Sequence, residues 1–260
     1  MTPDGPTMTV SPAIATDGLS KRYGSTTAVA ELDLTVPNGV VYGFLGPNGA
    51  GKTTTMRMLT GLVEPSDGTA TVAGVPSDDR RQLVDRIGLL PEEPPLYEEL
   101  TGREQLAFAA DLRSVPFEQV ADRALGLCER LGLREDLDRR VDGYSKGMRQ
   151  KTAFVQAVQH DPSVVFLDEP TSGLDPRAAK TLRELIVELA AEDTTVFLST
   201  HILPVVEEIA DEVGVLHDGR LVAEGPPGEL IGSVEAEGGA DLEDAFLALT
   251  GDASEAYATE

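Results

Sequence analysis

One stretch constrains this chain more than any other: Gly46-Pro47-Asn48-Gly49-Ala50-Gly51-Lys52-Thr53-Thr54. It fits G-x-x-x-x-G-K-(S/T), a loop that cradles phosphate, and its flanks are those the motif requires. The apolar run 40–45 leads in and reads as a buried parallel strand; residues 55–62 lead out as a helix. The loop therefore sits between a strand and a helix N-terminus, where backbone N–H groups and the helix dipole favour an anion. Gly46, Gly49 and Gly51 let the backbone wrap closely around phosphate oxygens. Lys52 supplies a point charge to the β- and γ-phosphates, and the Thr53 hydroxyl is placed to ligate Mg²⁺. A glycine-rich turn with a solvated lysine is the bland alternative, and it leaves the agreement of strand, loop and helix unexplained.

A second apolar strand, 163–167, ends in two adjacent carboxylates, Asp168 and Glu169. Period two sends neighbouring strand residues to opposite faces, so the pair should not duplicate each other. One can hold Mg²⁺ and the other can activate an attacking water as a general base. Of three histidines, His160 and His217 read as surface or turn residues. His201 stands at the carboxyl end of a buried strand, where ligands bind in such folds.

At 260 residues the chain can form one α/β domain with a small appendage. No stretch approaches the roughly 18 consecutive apolar residues of a membrane span. Residues 1–11 lack the basic-then-apolar order of a signal peptide, so a cytoplasmic protein is expected. The lone Cys128 excludes an internal disulfide and reads as a core residue. The 45 acidic against 21 basic residues give a formal charge of −24. Because the carboxylates are scattered evenly, this reads as adaptation to high salt rather than as an acidic partner surface, and the composition resembles that of salt-loving archaea. It also argues against direct nucleic-acid binding, which needs a basic face.

Along the chain, 13–24, 29–36 and 68–74 read as an antiparallel β layer beside a parallel core. Residues 80–90 read as an amphipathic helix and the strand 87–90, followed by a proline-broken loop at 91–97. Thr101-Gly102-Arg103-Glu104 is a capping box opening a helical stretch to about 160. Strands at 163–167 and 194–198 flank a helix at 177–191, and 213–223 is a hairpin turning at Asp218-Gly219. A glycine-rich break, 225–239, precedes a short helix at 242–249. The expected organisation is a polar tail (1–12), a phosphate-loop α/β domain (13–232) with a helical subdomain at about 93–160, and a linker, short helix and tail (233–260).

With these motifs in order, the chain resembles the ATPase subunits of ABC transporters over about residues 10–232. Tyr144-Ser145-Lys146-Gly147-Met148-Arg149-Gln150 stands where the family carries its signature, usually Leu-Ser-Gly-Gly-Gln. Ser172-Gly173-Leu174-Asp175 matches the family's D-loop, and Ser199-Thr200-His201 its switch histidine. The resemblance implies a phosphate-loop α/β fold of ABC type, with a parallel core sheet, an antiparallel β layer and an inserted α-helical subdomain. It also implies an enzyme that hydrolyses ATP with Mg²⁺. Tyr23 would stack on adenine, Gly46 to Thr54 would hold phosphates and metal, Asp168 would serve Mg²⁺, Glu169 would be the base and His201 a γ-phosphate contact. Two subunits would pair head to tail, so that Ser145 and Gly147 of one close the ATP site of the other, with Asp175 in the D-loop. The pair would drive a separately encoded membrane permease from the cytoplasmic face of the membrane.

Three positions depart from the family's pattern: Lys146 and Met148 in the signature, and Glu92 where glutamine is usual. A carboxylate at Glu92 could coordinate Mg²⁺ or orient water, but it lacks the amide donor. The Lys146 form, the loop Pro91-Glu92-Glu93-Pro94 and the ending at 242–251 resemble the branch that exports drugs, sodium or polysaccharide. A soluble ABC-type ATPase of DNA repair or translation is the alternative. Repair members place coiled coils between phosphate loop and signature, whereas here the two are about one hundred residues apart without heptads. A small GTPase or metabolic kinase leaves residues 144–150 and His201 unexplained.

Overall fold

A computed structural model of the chain describes residues 11–233 and 241–256. Residues 1–10 of the expected tail, 234–240 of the expected linker and 257–260 lie outside the described residues.

The first part of the chain runs β1 (Ile14–Tyr23), β2 (Thr26–Val36), β3 (Val41–Leu45), α1 (Lys52–Leu59), β4 (Asp67–Val72) and β5 (Val75–Pro76). Then come α2 (Arg80–Leu83), β6 (Ile87–Leu90), α3 (Gly102–Asp111), α4 (Phe117–Arg130) and α5 (Lys146–Val158). The last part is β7 (Val164–Asp168), α6 (Pro176–Ala191), β8 (Thr195–Ser199), α7 (Leu203–Ile209), β9 (Glu212–His217), β10 (Arg220–Gly225), α8 (Pro227–Gly232) and α9 (Leu242–Ala256). β2-β1-β4-β5 form one antiparallel sheet, and β10-β9-β3-β8-β7-β6 form the other, parallel except for the β9–β10 hairpin.

The parallel strands are apolar on both faces because both faces are covered. Alternation splits each strand between two cores. Tyr42, Phe44 and Phe166 point to the antiparallel sheet and α1, and each ring lies 5.0–5.5 Å from that of Phe197. Val165, Leu167, Val196 and Leu198 point the other way, against Phe154 of α5 and Leu182 and Ile186 of α6. Cys128 of α4 is fully buried in that second core, as its apolar setting predicts. The carboxyl ends of β3, β7 and β8, with the loop after β6, therefore open on one edge of the sheet.

Several boundaries differ from the sequence reading. The phosphate-loop helix begins at Lys52 rather than at residue 55, so Lys52 and Thr53 occupy its first turn. The amphipathic helix expected after residue 80 is a single turn. The helical stretch from Thr101 opens with the expected capping box, Thr101 Oγ1 accepting from Glu104 N at 3.2 Å and Glu104 returning the bond to Thr101 N at 2.8 Å. It is broken between α4 and α5 by short 3₁₀ turns at Arg134–Asp136 and Val141–Gly143. α7 falls in a stretch, 202–212, to which the sequence reading assigns no element, and α8 lies inside the expected glycine-rich break; each carries a proline in its first turn, where the missing N–H costs nothing.

Candidate active site

The loop from Gly46 to Thr54 joins β3 to α1. Gly51 is the N-cap, in the left-handed region at φ 106°, and no side chain caps the helix. The N–H groups of the first turn are thus offered to a ligand rather than to the protein's own side chains. The loop is also pressed closely from behind: a Cβ on Gly51 would run into the Ala28 carbonyl, and one on Gly46 into that of Leu216. Gly219, in the β9–β10 turn, donates to Ala50 O at 2.9 Å and fixes the loop from below. Asp218 and Gly219 both have positive φ, as the expected Asp-Gly hairpin turn demands.

Lys52 folds back over this loop, its Nζ donating to Gly46 O at 2.6 Å and Pro47 O at 3.1 Å. Burial lowers its pKa, while the carboxylates of Glu169, Asp168 and Glu92 act in the opposite direction. The ammonium therefore faces three carboxylates, from the end of β7, the residue after it and the loop after β6. Thr53 Oγ1 donates to Asp168 Oδ2 at 3.2 Å. Burial raises the Asp168 pKa, opposed by neighbouring hydroxyls, Thr53 among them, and by Lys52. Thr53, Asp168 and Glu92 line one pocket of about 350 Å³, together with Arg57 of α1.

Glu169 turns away from Asp168. As the first residue past β7 it sits at φ 48°, a conformation that costs a non-glycine residue about 1–3 kcal/mol and persists only where the surroundings hold it. Its backbone N–H donates to Ser199 O at 2.9 Å. Its carboxylate accepts from Thr200 Oγ1 at 3.0 Å and from His201 N at 2.9 Å, and His201 Nδ1 lies 2.8 Å from Oε1. The two acids take separate positions, as the strand period requires. His201 is largely solvent-exposed, whereas the Glu169 side chain is only 13% exposed.

The structure thus gathers Lys52, Thr53, Glu92, Asp168, Glu169 and His201 at one edge. Thr54 lies in α1, and Pro47, Asn48, Gly49 and Ala50 form the loop itself. Tyr23 ends β1 with its ring half-exposed and Lys21 Nζ 5.2 Å from the ring centroid. Ser145 is the N-cap of α5, accepting from Met148 N at 3.2 Å. Gly147 packs so closely that a Cβ would lie 2.8 Å from Gly173 O. Lys146 donates to Ser172 Oγ at 2.9 Å. Asp175 caps α6, accepting from Arg177 N at 3.0 Å and Ala178 N at 3.1 Å. His217 corrects the sequence reading, since it ends β9 with its side chain largely buried; His160 is a turn residue, as expected, although its side chain is largely buried.

The donor set fits a nucleotide with Mg²⁺: a glycine cradle, uncapped N–H groups, an ammonium, and a hydroxyl beside a carboxylate. The Thr53 hydroxyl beside the Asp168 carboxylate suits a cation that takes one or two protein ligands and completes its shell with phosphate and water. Sequence reasoning missed Thr200 and Arg57. Thr200 lies within the switch triplet, yet nothing in its spacing shows that its hydroxyl reaches Glu169.

The family model for ABC transporters matches residues 29–172. The bacitracin transport ATP-binding protein BcrA of Bacillus licheniformis is 41% identical over 219 residues, covering 84% of this chain and 71% of that protein. The daunorubicin/doxorubicin resistance ATP-binding protein DrrA of Streptomyces peucetius is 41% identical over 223 residues, covering 85% and 68%. Among solved structures, one described as an ATP-binding subunit of an ABC transporter superposes with a TM-score of 0.85 at 32% identity, over 91% of this chain and 99% of that one.

Proposed function

This chain belongs to the ATP-binding subunits of ABC transporters, which hydrolyse ATP to power transport, and on that premise we propose which of its residues carry the reaction and what it drives. The pairing of Thr53 with Asp168 beside a separately held Glu169 is the observation that carries the assignment. Lys52 binds the β- and γ-phosphates, turning outward from the carbonyls of its own loop, while the N–H groups of residues 49–54 hold the oxygens. Thr53 and Asp168 would hold Mg²⁺, with Glu92 facing the same pocket, and Tyr23 would carry the adenine. The metal, once bound, would supply charge neutralisation at the phosphate oxygens. Glu169 takes a proton from the attacking water as the new O–P bond forms and the bond to the leaving ADP oxygen breaks. His201, which donates to Glu169 here, swings toward the γ-phosphate when nucleotide binds.

Ser145, Gly147 and Asp175 serve the site of a second subunit, so that turnover follows head-to-tail pairing. The ATPase unit spans 13–232, with α3 to α5 as its helical subdomain. Relatives named for bacitracin transport and daunorubicin resistance support export of a bulky compound through a separately encoded permease, with this subunit on the cytoplasmic face. The acidic composition supports a halophilic source. No helix among the described residues is long and apolar enough to cross a membrane.

Two variants test the site. Glu169→Gln is expected to bind ATP normally and lose turnover by about 10²–10⁴-fold, the usual contribution of a general base. Lys52→Ala is expected to lose nucleotide binding. Unimpaired hydrolysis in Glu169→Gln overturns the base assignment.

A further inference from the structure

Gln150 lies in the second turn of α5, far from the solvent at 1% exposure. Its Nε2 donates to Glu169 O at 3.1 Å and to Pro170 O at 3.3 Å. Those two carbonyls flank the bend at which Glu169 adopts positive φ, and the bend cannot relax easily. Proline follows, restricting the residue before it and offering no N–H of its own. Glu169 O also accepts from Ser172 N at 3.0 Å. For Pro170 O, the Gln150 amide is the donor that satisfies a buried acceptor. An amide carries two N–H groups, enough for both carbonyls at once.

The Glu169 residue is therefore held from three sides. Ser199 holds its N–H, Thr200 and His201 hold its carboxylate, and Gln150 holds its carbonyl. The first two sides belong to β8 and the turn after it, inside the same sheet. The third comes from α5, whose N-cap is Ser145 and whose first turn holds Gly147 against Gly173. Five residues of helix, about 7.5 Å of rise, separate Ser145 from Gln150. A rigid helix carries a displacement of its first turn to the Gln150 amide, and so to the peptide that aims the carboxylate.

We infer that Gln150 is a positioning residue for hydrolysis: it sets the backbone bend that aims Glu169, and it ties the base of one ATP site to the helix whose start closes the other. The inference rests on Glu169 being the base.

The test is a double-mutant cycle on the full chain, with ATP binding and melting temperature measured for each protein. Gln150→Met keeps length and volume without a donor. It is expected to lower kcat at least tenfold while leaving KM and ATP affinity within about twofold. Gln150→Asn keeps the donors but shortens their reach; it is expected to lose less, in the same direction. In the Glu169→Gln background, whose residual turnover is read under single-turnover conditions, Gln150→Met should cause no further loss, because Gln150 acts through the carboxylate already removed. Wild-type kcat in Gln150→Met overturns the inference. So does an equal loss in both backgrounds, or a loss that follows ATP binding and melting temperature down together, since each assigns Gln150 to packing alone. A Glu169→Gln protein that hydrolyses normally overturns the base assignment instead, and that is read without any change at Gln150.

Discussion

His160, at the end of α5, donates from Nε2 to Ile87 O at 3.0 Å, while Nδ1 is buried without a partner. Burial and then the positive charge of Arg113 push its pKa down to about 4, against smaller pulls from the Ile87 carbonyl, Asp85 and Asp161. The folded state thus refuses a proton that the unfolded chain accepts near pH 6.5. Its contribution to stability is complete above that value and is lost as pH falls from about 6.5 toward 4. Between pH 7.5 and 5 the loss is about 2 kcal/mol. His160→Gln keeps an amide donor and removes the titration, so urea melts at the two pH values should converge for the variant by that amount relative to wild type; parallel losses would refute it. The side chains proposed for the reaction were largely legible, because Lys52, Thr53, Asp168 and His201 stand at fixed places in short motifs. His160, Thr200 and Gln150 were not. Their partners are backbone or side-chain groups that only the packing of α5, β6, β7 and β8 brings near.

At the scale of elements, the parallel strands announced themselves as continuous apolar runs, and the antiparallel layer as alternation. The short helices did not. α7 and α8 have seven and six residues with an early proline, too few for a helical period to show. The short helix expected at 242–249 packs on the chain's own core. α9 buries Leu242 and Ala245 completely, with Phe246 and Leu249 packed against Val206 of α7 and Leu230 of α8. Ending the chain after Ser233 removes roughly 3 kcal/mol of burial and should lower the melting temperature by about 6–12 °C. An unchanged melting curve in differential scanning calorimetry would show that α9 adds nothing to this core.

For the whole molecule the dominant quantity is the charge of −24. Most of its ion pairs are solvent-exposed, Arg103 with Asp138 and Arg130 with Glu188 among them, and such pairs contribute little. Self-repulsion therefore weighs against folding at low salt, and falls as the screening length shrinks from about 10 Å at 0.1 M to about 3 Å at 1 M. The melting temperature should climb by several degrees between 0.1 and 2 M KCl, most of it below 1 M; a flat or falling curve would contradict this account. The strand order β10-β9-β3-β8-β7-β6 has one more consequence, and it concerns time. β3, which leads into the phosphate loop, has β8 and β9 as its neighbours, so both of its hydrogen-bonding edges wait for chain made much later. At about 5–20 residues per second, the roughly 150 residues between β3 and β8 take on the order of ten seconds to synthesise. Throughout that interval the ribosome holds a finished nucleotide motif that has no sheet to stand in, and a nascent chain can capture its first ATP only as the last strands emerge.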